Sequence, residues 1–171
     1  MVGQWSLEPS IGVRIPAPQP NMNIVQQKLV LAYGIINFLV FLKGFYETRY
    51  KKNAYGFTRP LFVLGMFVWG DTVIFGLFWT LSSFIALYLK DWYLFLLIVS
   101  AFWLVRSLGE AVYWFNQQFS KINRNPKEKL IGYSIFQNDS IWFAYQIAWR
   151  CVAVASIVFT IYLAHVWLGS L

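Results

Sequence analysis

The sequence predicts an all-α integral membrane protein: four antiparallel transmembrane helices in a bundle, with both chain ends outside. Of the 171 residues, 58% are hydrophobic and only 12% are charged, whereas soluble domains carry about a quarter charged residues. The apolar residues form four runs long enough to cross a bilayer. Lys and Arg, 14 against 7 acidic residues, gather between these runs. The basic excess therefore indicates membrane topology and argues against a nucleic-acid partner.

Residues 1–21 precede the first apolar run and contain four of the six prolines. They lack the apolar core of a signal peptide, so the composition predicts a disordered Pro-rich tail. Residues Gly12 to Pro16 can also be back-translated into a sequence that resembles the T-arm of a transfer RNA gene. Two interpretations stay open: an expressed tail, or a misplaced start codon with Met22 as the first residue.

Residues 22–171 form the predicted membrane domain. Arg59-Pro60 precedes the second span, and Pro fits well in a first helical turn. Only Lys90-Asp91 separates the second span from the third, so we expect a tight antiparallel hairpin there. Asp139 or Ser140 is the predicted N-cap of the fourth span. The predicted spans are about residues 24–45, 61–89, 92–119 and 141–168.

Orientation follows from the positions of Lys and Arg. The first connection carries five basic residues and the third carries four, whereas the second offers only Lys90. The positive-inside rule then places the first and third connections in the cytoplasm, and we expect a multi-pass protein of the cytoplasmic (inner) membrane. The nine basic residues are Lys43, Arg49, Lys51, Lys52, Arg59, Lys121, Arg124, Lys127 and Lys129.

Polar side chains interrupt the spans, and charges at such depth are costly unless they have partners. Asp71 and Glu110 lie equally far from the turn at Lys90-Asp91, each about 29 Å along its helix, and Arg106 lies one turn from Glu110 on the same face. Counted from the opposite, inner ends of their spans, Asn37, Asp71 and Arg150 also lie at a similar depth in the membrane. The predicted buried polar layer consists of Asn37, Asp71, Arg106, Glu110, Gln146 and Arg150.

This layer has two interpretations. As a structural lock, its arginines pair with its carboxylates and hold the helices together. As a functional site, it binds an anion, passes a proton or holds a polar lipid headgroup. The four ionic members, Asp71, Glu110, Arg106 and Arg150, sum to zero charge, and that neutrality favours the lock.

Catalytic chemistry has little support in the sequence. A single Cys151 excludes an internal disulfide and a thiolate cluster, and a single His165 excludes a multi-His zinc site made by one chain. Ser82-Ser83 has no accompanying base, and no nucleotide-binding or hydrolase motif occurs. We therefore expect no catalytic residues, no metal and no cofactor.

The leading hypothesis is a non-enzymatic small inner-membrane protein, an accessory or self-associating subunit with the charge layer as its lock. The alternative is an ion, proton or small-solute transport protein that uses the same layer. A lipid-modifying enzyme is a third class, but it lacks a recognisable nucleophile or metal set. Expected partners are the lipid bilayer and either further copies of the chain or another membrane subunit.

Overall fold

Four helices make up most of the chain in the computed structural model, which describes residues 22–121, 125–136 and 138–170. They are α1 (Ile24–Arg49), α2 (Trp69–Leu89), α3 (Trp92–Phe119) and α4 (Ser140–Ser170). Each is long and apolar enough to cross a membrane. The protein is therefore an all-α, multi-pass four-helix membrane bundle, as its sequence predicts. The predicted tail of residues 1–21 lies outside the described residues.

The two ends of the bundle differ in their connections. One end carries the two long connections around residues 50–68 and 120–139, where the basic residues gather; we call it the basic end. At the other, the hairpin end, only Lys90 and Asp91 join α2 to α3. Lys90 adopts a left-handed conformation (φ 52°), and the Asp91 carboxylate caps α3 by accepting a hydrogen bond from the Leu94 N–H at 2.9 Å.

Helix α2 begins at Trp69, not at Leu61 as predicted. Residues Arg59–Leu64 form a short 3₁₀ helix that ends at Gly65, whose φ of 74° lies in the left-handed region. The chain turns there and starts α2 afresh. Because the residues around this break are apolar, hydropathy alone merges them with the span. The 21 residues of α2 extend about 31 Å, close to the thickness of one hydrocarbon core.

Helices α1 and α2 pack closely because small residues line their contact. A Cβ atom added at Gly34 would lie 3.0 Å from the Ser83 Cβ, and one added at Gly44 would overlap the Thr72 Oγ1. On α2, Gly76 approaches the backbone of α1 equally closely. The backbones of these two helices are therefore nearly in contact over several turns.

Helices α3 and α4 form the second close pair. Near the basic end, the Gln118 side-chain amide donates to the Gln146 Oε1 at 2.8 Å, and the Trp114 and Tyr145 rings lie 4.7 Å apart between centroids. Ile141, at the start of α4, is buried in one apolar cluster with Trp114, against which Tyr145 also packs. The bundle thus consists of two close helix pairs, α1–α2 and α3–α4.

The predicted tight hairpin of the second and third spans is wrong in one respect: the link is short, but the two helices are not closely packed. Large rings separate them. Phe102 of α3 lies among Phe75, Phe78 and Trp79 of α2, at centroid distances of 4.5 to 5.7 Å. The rings are much larger than the small residues that line the α1–α2 contact. They therefore keep the α2 and α3 backbones farther apart than the α1 and α2 backbones.

Helix α4 begins at Ser140, so Asp139 holds the predicted N-cap position, but the side-chain hydrogen bonds there differ from those of an ordinary cap. The Asn138 side chain accepts the Ser140 N–H at 2.8 Å, whereas the Asp139 carboxylate accepts a hydrogen bond of 2.8 Å from the Lys127 ammonium. That hydrogen bond to Asp139 raises the pKa of Lys127. Asp139 therefore anchors the preceding connection to the helix instead of capping it with its side chain.

Helix α4 is also held at both ends through tryptophan indoles. The Trp142 Nε1 donates to the Asn125 carbonyl at 3.2 Å, at the basic end. The Trp167 Nε1 donates to the Asp91 Oδ2 at 2.7 Å, at the hairpin end. The second bond places Trp167 level with the start of α3.

Candidate functional site

Three of the six residues predicted for the polar layer meet in one ionic cluster. The Arg106 Nη2 lies 3.0 Å from the Asp71 Oδ2 and 3.1 Å from the Glu110 Oε1. Arg106 and Glu110 are one turn apart on α3, and Asp71 lies in the first turn of α2. A single guanidinium therefore bridges the two helices that aromatic rings hold apart.

Asp71 also fixes the chain that leads into its own helix. Its Oδ2 accepts a second hydrogen bond, of 3.0 Å, from the backbone N–H of Phe67. A carboxylate in the first turn of a helix also interacts favourably with the partial positive charge there. Phe67 is absent from the predicted site. The sequence pattern starts α2 at Leu61, so it places Phe67 and Asp71 inside the helix and gives no sign that Asp71 lies in its first turn.

The cluster is shielded by aromatic rings. The Arg106 guanidinium carbon lies 4.4 Å from the Phe67 ring centroid and 5.3 Å from that of Phe75, within the range of cation–π attraction. The side chains of Asp71, Arg106 and Glu110 are only 13% to 21% exposed. In such an environment charge interactions are stronger than in water, and a charge left without its partner costs more.

The depth of the cluster follows from the helices that carry it. Asp71 and Glu110 each lie about 27 Å along their helices from the hairpin end, and Arg106 lies about 21 Å from it. In a hydrocarbon core of about 30 Å, the carboxylates are then close to the boundary at the basic end. Because α2 starts at Trp69 and not at Leu61, the cluster lies closer to that boundary than the sequence pattern suggests.

Arg150 does not join the cluster, and its placement corrects the predicted layer. The buried face of α4 carries Trp142, Gln146 and Ala153, and Arg150 points roughly 60° away from the centre of that face at 100° per residue. The side chain is exposed on the outside of the bundle. Among the described residues it has no hydrogen-bond or ion-pair partner.

Asn37 and Gln146 are buried but serve other contacts. The Asn37 amide donates to the Tyr33 carbonyl at 2.8 Å within α1, and its Oδ1 has no partner among the described residues. Gln146 pairs with Gln118, which is not in the predicted layer; an amide facing an amide across two spans is the signal that could have identified it. The predicted single layer is therefore three separate polar contacts, one within α1, one between α3 and α4, and one between α2 and α3.

The charge of the cluster also differs from the predicted balance. Without Arg150, two carboxylates face one guanidinium, so the contact has a formal charge of −1. The predicted layer is neutral only because it includes Arg150. The cluster of Asp71, Arg106 and Glu110 is not neutral, so charge balance no longer favours a lock. Within residues 22–121, 125–136 and 138–170, no group of three or more His, Cys, Asp or Glu side chains could hold a metal ion.

Comparison with known proteins gives no match to any protein-family model, curated protein or solved structure.

Proposed function

We propose that the protein is a non-enzymatic accessory subunit of an assembly in the cytoplasmic membrane. The observation that carries the proposal is the contrast between two arginines at similar depth. Arg106 pairs inside the bundle with two carboxylates through its Nη2, whereas Arg150 is exposed on α4. A charge that deep on an outer face is costly unless something outside the chain receives it.

The ionic cluster has a structural role in this proposal. Arg106 joins α2 to α3 through Asp71, and Asp71 in turn holds the Phe67 backbone at the start of α2. These shared contacts support a lock, because removing Asp71 would release the α2–α3 contact and the Phe67 backbone together.

The assembly is tested by isolating the tagged full-length chain, expressed at its native level, in a mild detergent. The mass of the particle is then measured by native mass spectrometry. An accessory subunit is expected to emerge in a particle of fixed composition that is heavier than one chain. A particle that contains one chain alone, in several mild detergents, contradicts the proposal.

A transport function is the second candidate, and the charge of −1 on the cluster is the observation that favours it. An excess carboxylate near the membrane boundary could exchange a proton or a cation. The two functions differ in the effect of Asp71→Asn on the purified protein in proteoliposomes. If the protein is a transporter, Asp71→Asn abolishes proton or cation flux and leaves the thermal stability unchanged. If the cluster is a lock, Asp71→Asn lowers the thermal stability, and neither the unchanged protein nor the variant shows flux.

The inner-membrane orientation is tested by cysteine labelling after Cys151→Ser removes the native thiol. The basic connections are expected to face the cytoplasm. Asn53→Cys should then be protected from a membrane-impermeant reagent in intact cells, and Leu171→Cys should be labelled. The opposite pattern would overturn the orientation.

A further inference from the structure

We propose that the exposed face of α4 around Arg150 binds a transmembrane helix of a different subunit, and that this helix carries an Asp or Glu at the level of Arg150. This inference rests on the proposed accessory function and names the chemistry of the partner. The face is a shallow groove of about 400 Å³ that extends over three turns of α4. Its lining residues are Ile147, Arg150, Cys151, Val154, Ala155 and Val158.

The depth of Arg150 calls for an anionic partner. The Trp167–Asp91 hydrogen bond fixes the level of α4, and Arg150 lies about 25 Å along the helix from Trp167. That places its Cα inside a hydrocarbon core of about 30 Å, near the basic end. None of the described side chains receives the guanidinium. A carboxylate on a neighbouring helix would supply two acceptors in the geometry that guanidinium prefers.

The shape of the groove suits a helix. Cys151 and Ala155 are small and lie one turn apart on the exposed face, so another backbone can approach α4 beside Arg150. The groove continues through Val154 and Val158 towards the hairpin end, away from the lipid headgroups on the basic side. A headgroup would use only the end at Arg150, whereas a crossing helix would use the full length.

A second copy of this chain does not supply the required charge. Two α4 faces in contact in the same orientation bring Arg150 towards Arg150, and like charges repel. The carboxylates of Asp71 and Glu110 already hold Arg106 inside the bundle. Glu47 pairs with Lys51. The four helices hold no other acidic residue, and Asp91, Glu128 and Asp139 lie in the connections between them. The proposed acceptor inside the membrane therefore comes from a chain of different sequence.

The test uses the full-length protein in phosphatidylcholine vesicles and host peptides of about 20 Leu and Ala residues, long enough to span the bilayer. One peptide carries a single Asp at the depth of Arg150, and its matched control carries Leu there. Binding is measured by energy transfer between labelled protein and labelled peptide. We expect the Asp peptide to bind about tenfold more tightly than the Leu peptide, the scale of a strong polar contact between membrane helices.

Two variants assign the effect to the proposed surface. Arg150→Gln should remove the preference for Asp, and Arg150→Lys should restore part of it. Ala155→Leu should weaken binding of the Asp peptide by filling the groove, with the thermal stability of each variant unchanged. A preference that persists in Arg150→Gln, or equal binding of the two peptides, overturns the proposal.

Anionic lipid provides the competing explanation, since an Arg side chain can extend towards headgroups. Adding phosphatidylglycerol to the vesicles should leave the Asp preference in place; its abolition would assign Arg150 to a lipid phosphate and overturn the proposal. Failure here is distinguishable from failure of the accessory function. A native particle that keeps its mass in Arg150→Gln retains the function and rejects this interface.

Discussion

The contacts of α2 with its two neighbours in sequence show opposite ways of packing membrane helices. Against α1, glycines and small hydroxyl residues bring the backbones together, as at Gly44 and Thr72. Against α3, aromatic rings around Phe102 hold the backbones apart, and the Asp71–Arg106–Glu110 cluster joins the helices across the resulting space. The first contact depends on shape, and the second depends on rings and charge.

This difference separates connectivity from proximity. α2 and α3 are joined by two residues, yet α2 packs more closely against α1, to which a much longer connection joins it. Water cannot drive apolar helices together inside lipid, so packing geometry and polar contacts decide which pairs are close. The residues at the interface therefore determine the neighbours of a helix more than the length of a loop does.

The largest effect is expected from Arg106→Leu, which would break the contact between α2 and α3. It leaves two carboxylates facing each other without a cation in a poorly solvated site. Breaking a buried ion pair from one side costs about 3 to 5 kcal/mol. The free energy of unfolding in detergent, followed by circular dichroism, should fall by that amount.

Arg150→Leu is the matched control, since it removes the same charge at a similar depth from the exposed face of α4. We expect its effect in detergent to stay within about 0.5 kcal/mol, as for surface substitutions. Equal losses for Arg106→Leu and Arg150→Leu would show that the cluster is not the contact that holds α3 to α2.

Gly44→Ala tests the close contact of α1 with α2. The added methyl group would overlap the Thr72 side chain, which is fully buried and therefore has little room to move. Overpacking of this kind costs about 1 to 3 kcal/mol. Gly109→Ala is the control, because a Cβ there meets nothing within 4 Å; it should be neutral or slightly stabilising in the unfolding titration. Similar behaviour of the two variants would contradict close packing.

Trp79→Phe tests the aromatic contact on the other side of α2. Trp79 is fully buried, and its indole N–H donates to the Leu64 carbonyl at 3.2 Å, which ties the 3₁₀ helix to α2. The variant keeps a ring against Phe102 but leaves that carbonyl without its donor. We expect a loss of about 1 to 2 kcal/mol in the same titration. An unchanged stability would mean that the hydrogen bond contributes nothing to the fold.

The smallest measurable quantity is the coupling between Asp71 and Arg106. In a double-mutant cycle with Asp71→Asn, Arg106→Gln and both together, the loss of stability in the double variant should differ from the sum of the two single losses by well over about 0.5 kcal/mol, the limit within which distant sites add. Strict additivity would mean that the two side chains act independently in the membrane protein, in spite of their 3.0 Å separation.

The sequence predicts the ionic cluster better than the rest of the site. Asp71, Arg106 and Glu110 could be matched because two rigid helices rise at equal rates from one short turn. Arg150 could not be placed, because α4 is apolar on almost every side and its pattern does not fix which face turns inwards. The start of α2 depends on the backbone conformation of Gly65, which an uninterrupted apolar run does not reveal.

The two tryptophan hydrogen bonds of α4 limit the movements that this helix can transmit. Trp142 ties its basic end to the Asn125 carbonyl, and Trp167 ties its hairpin end to Asp91. Sliding by one turn, about 5.4 Å along the helix axis, would break both bonds together. A signal carried by α4 across the bilayer would therefore require rotation or tilting about two fixed points, and a piston stroke is mechanically disfavoured.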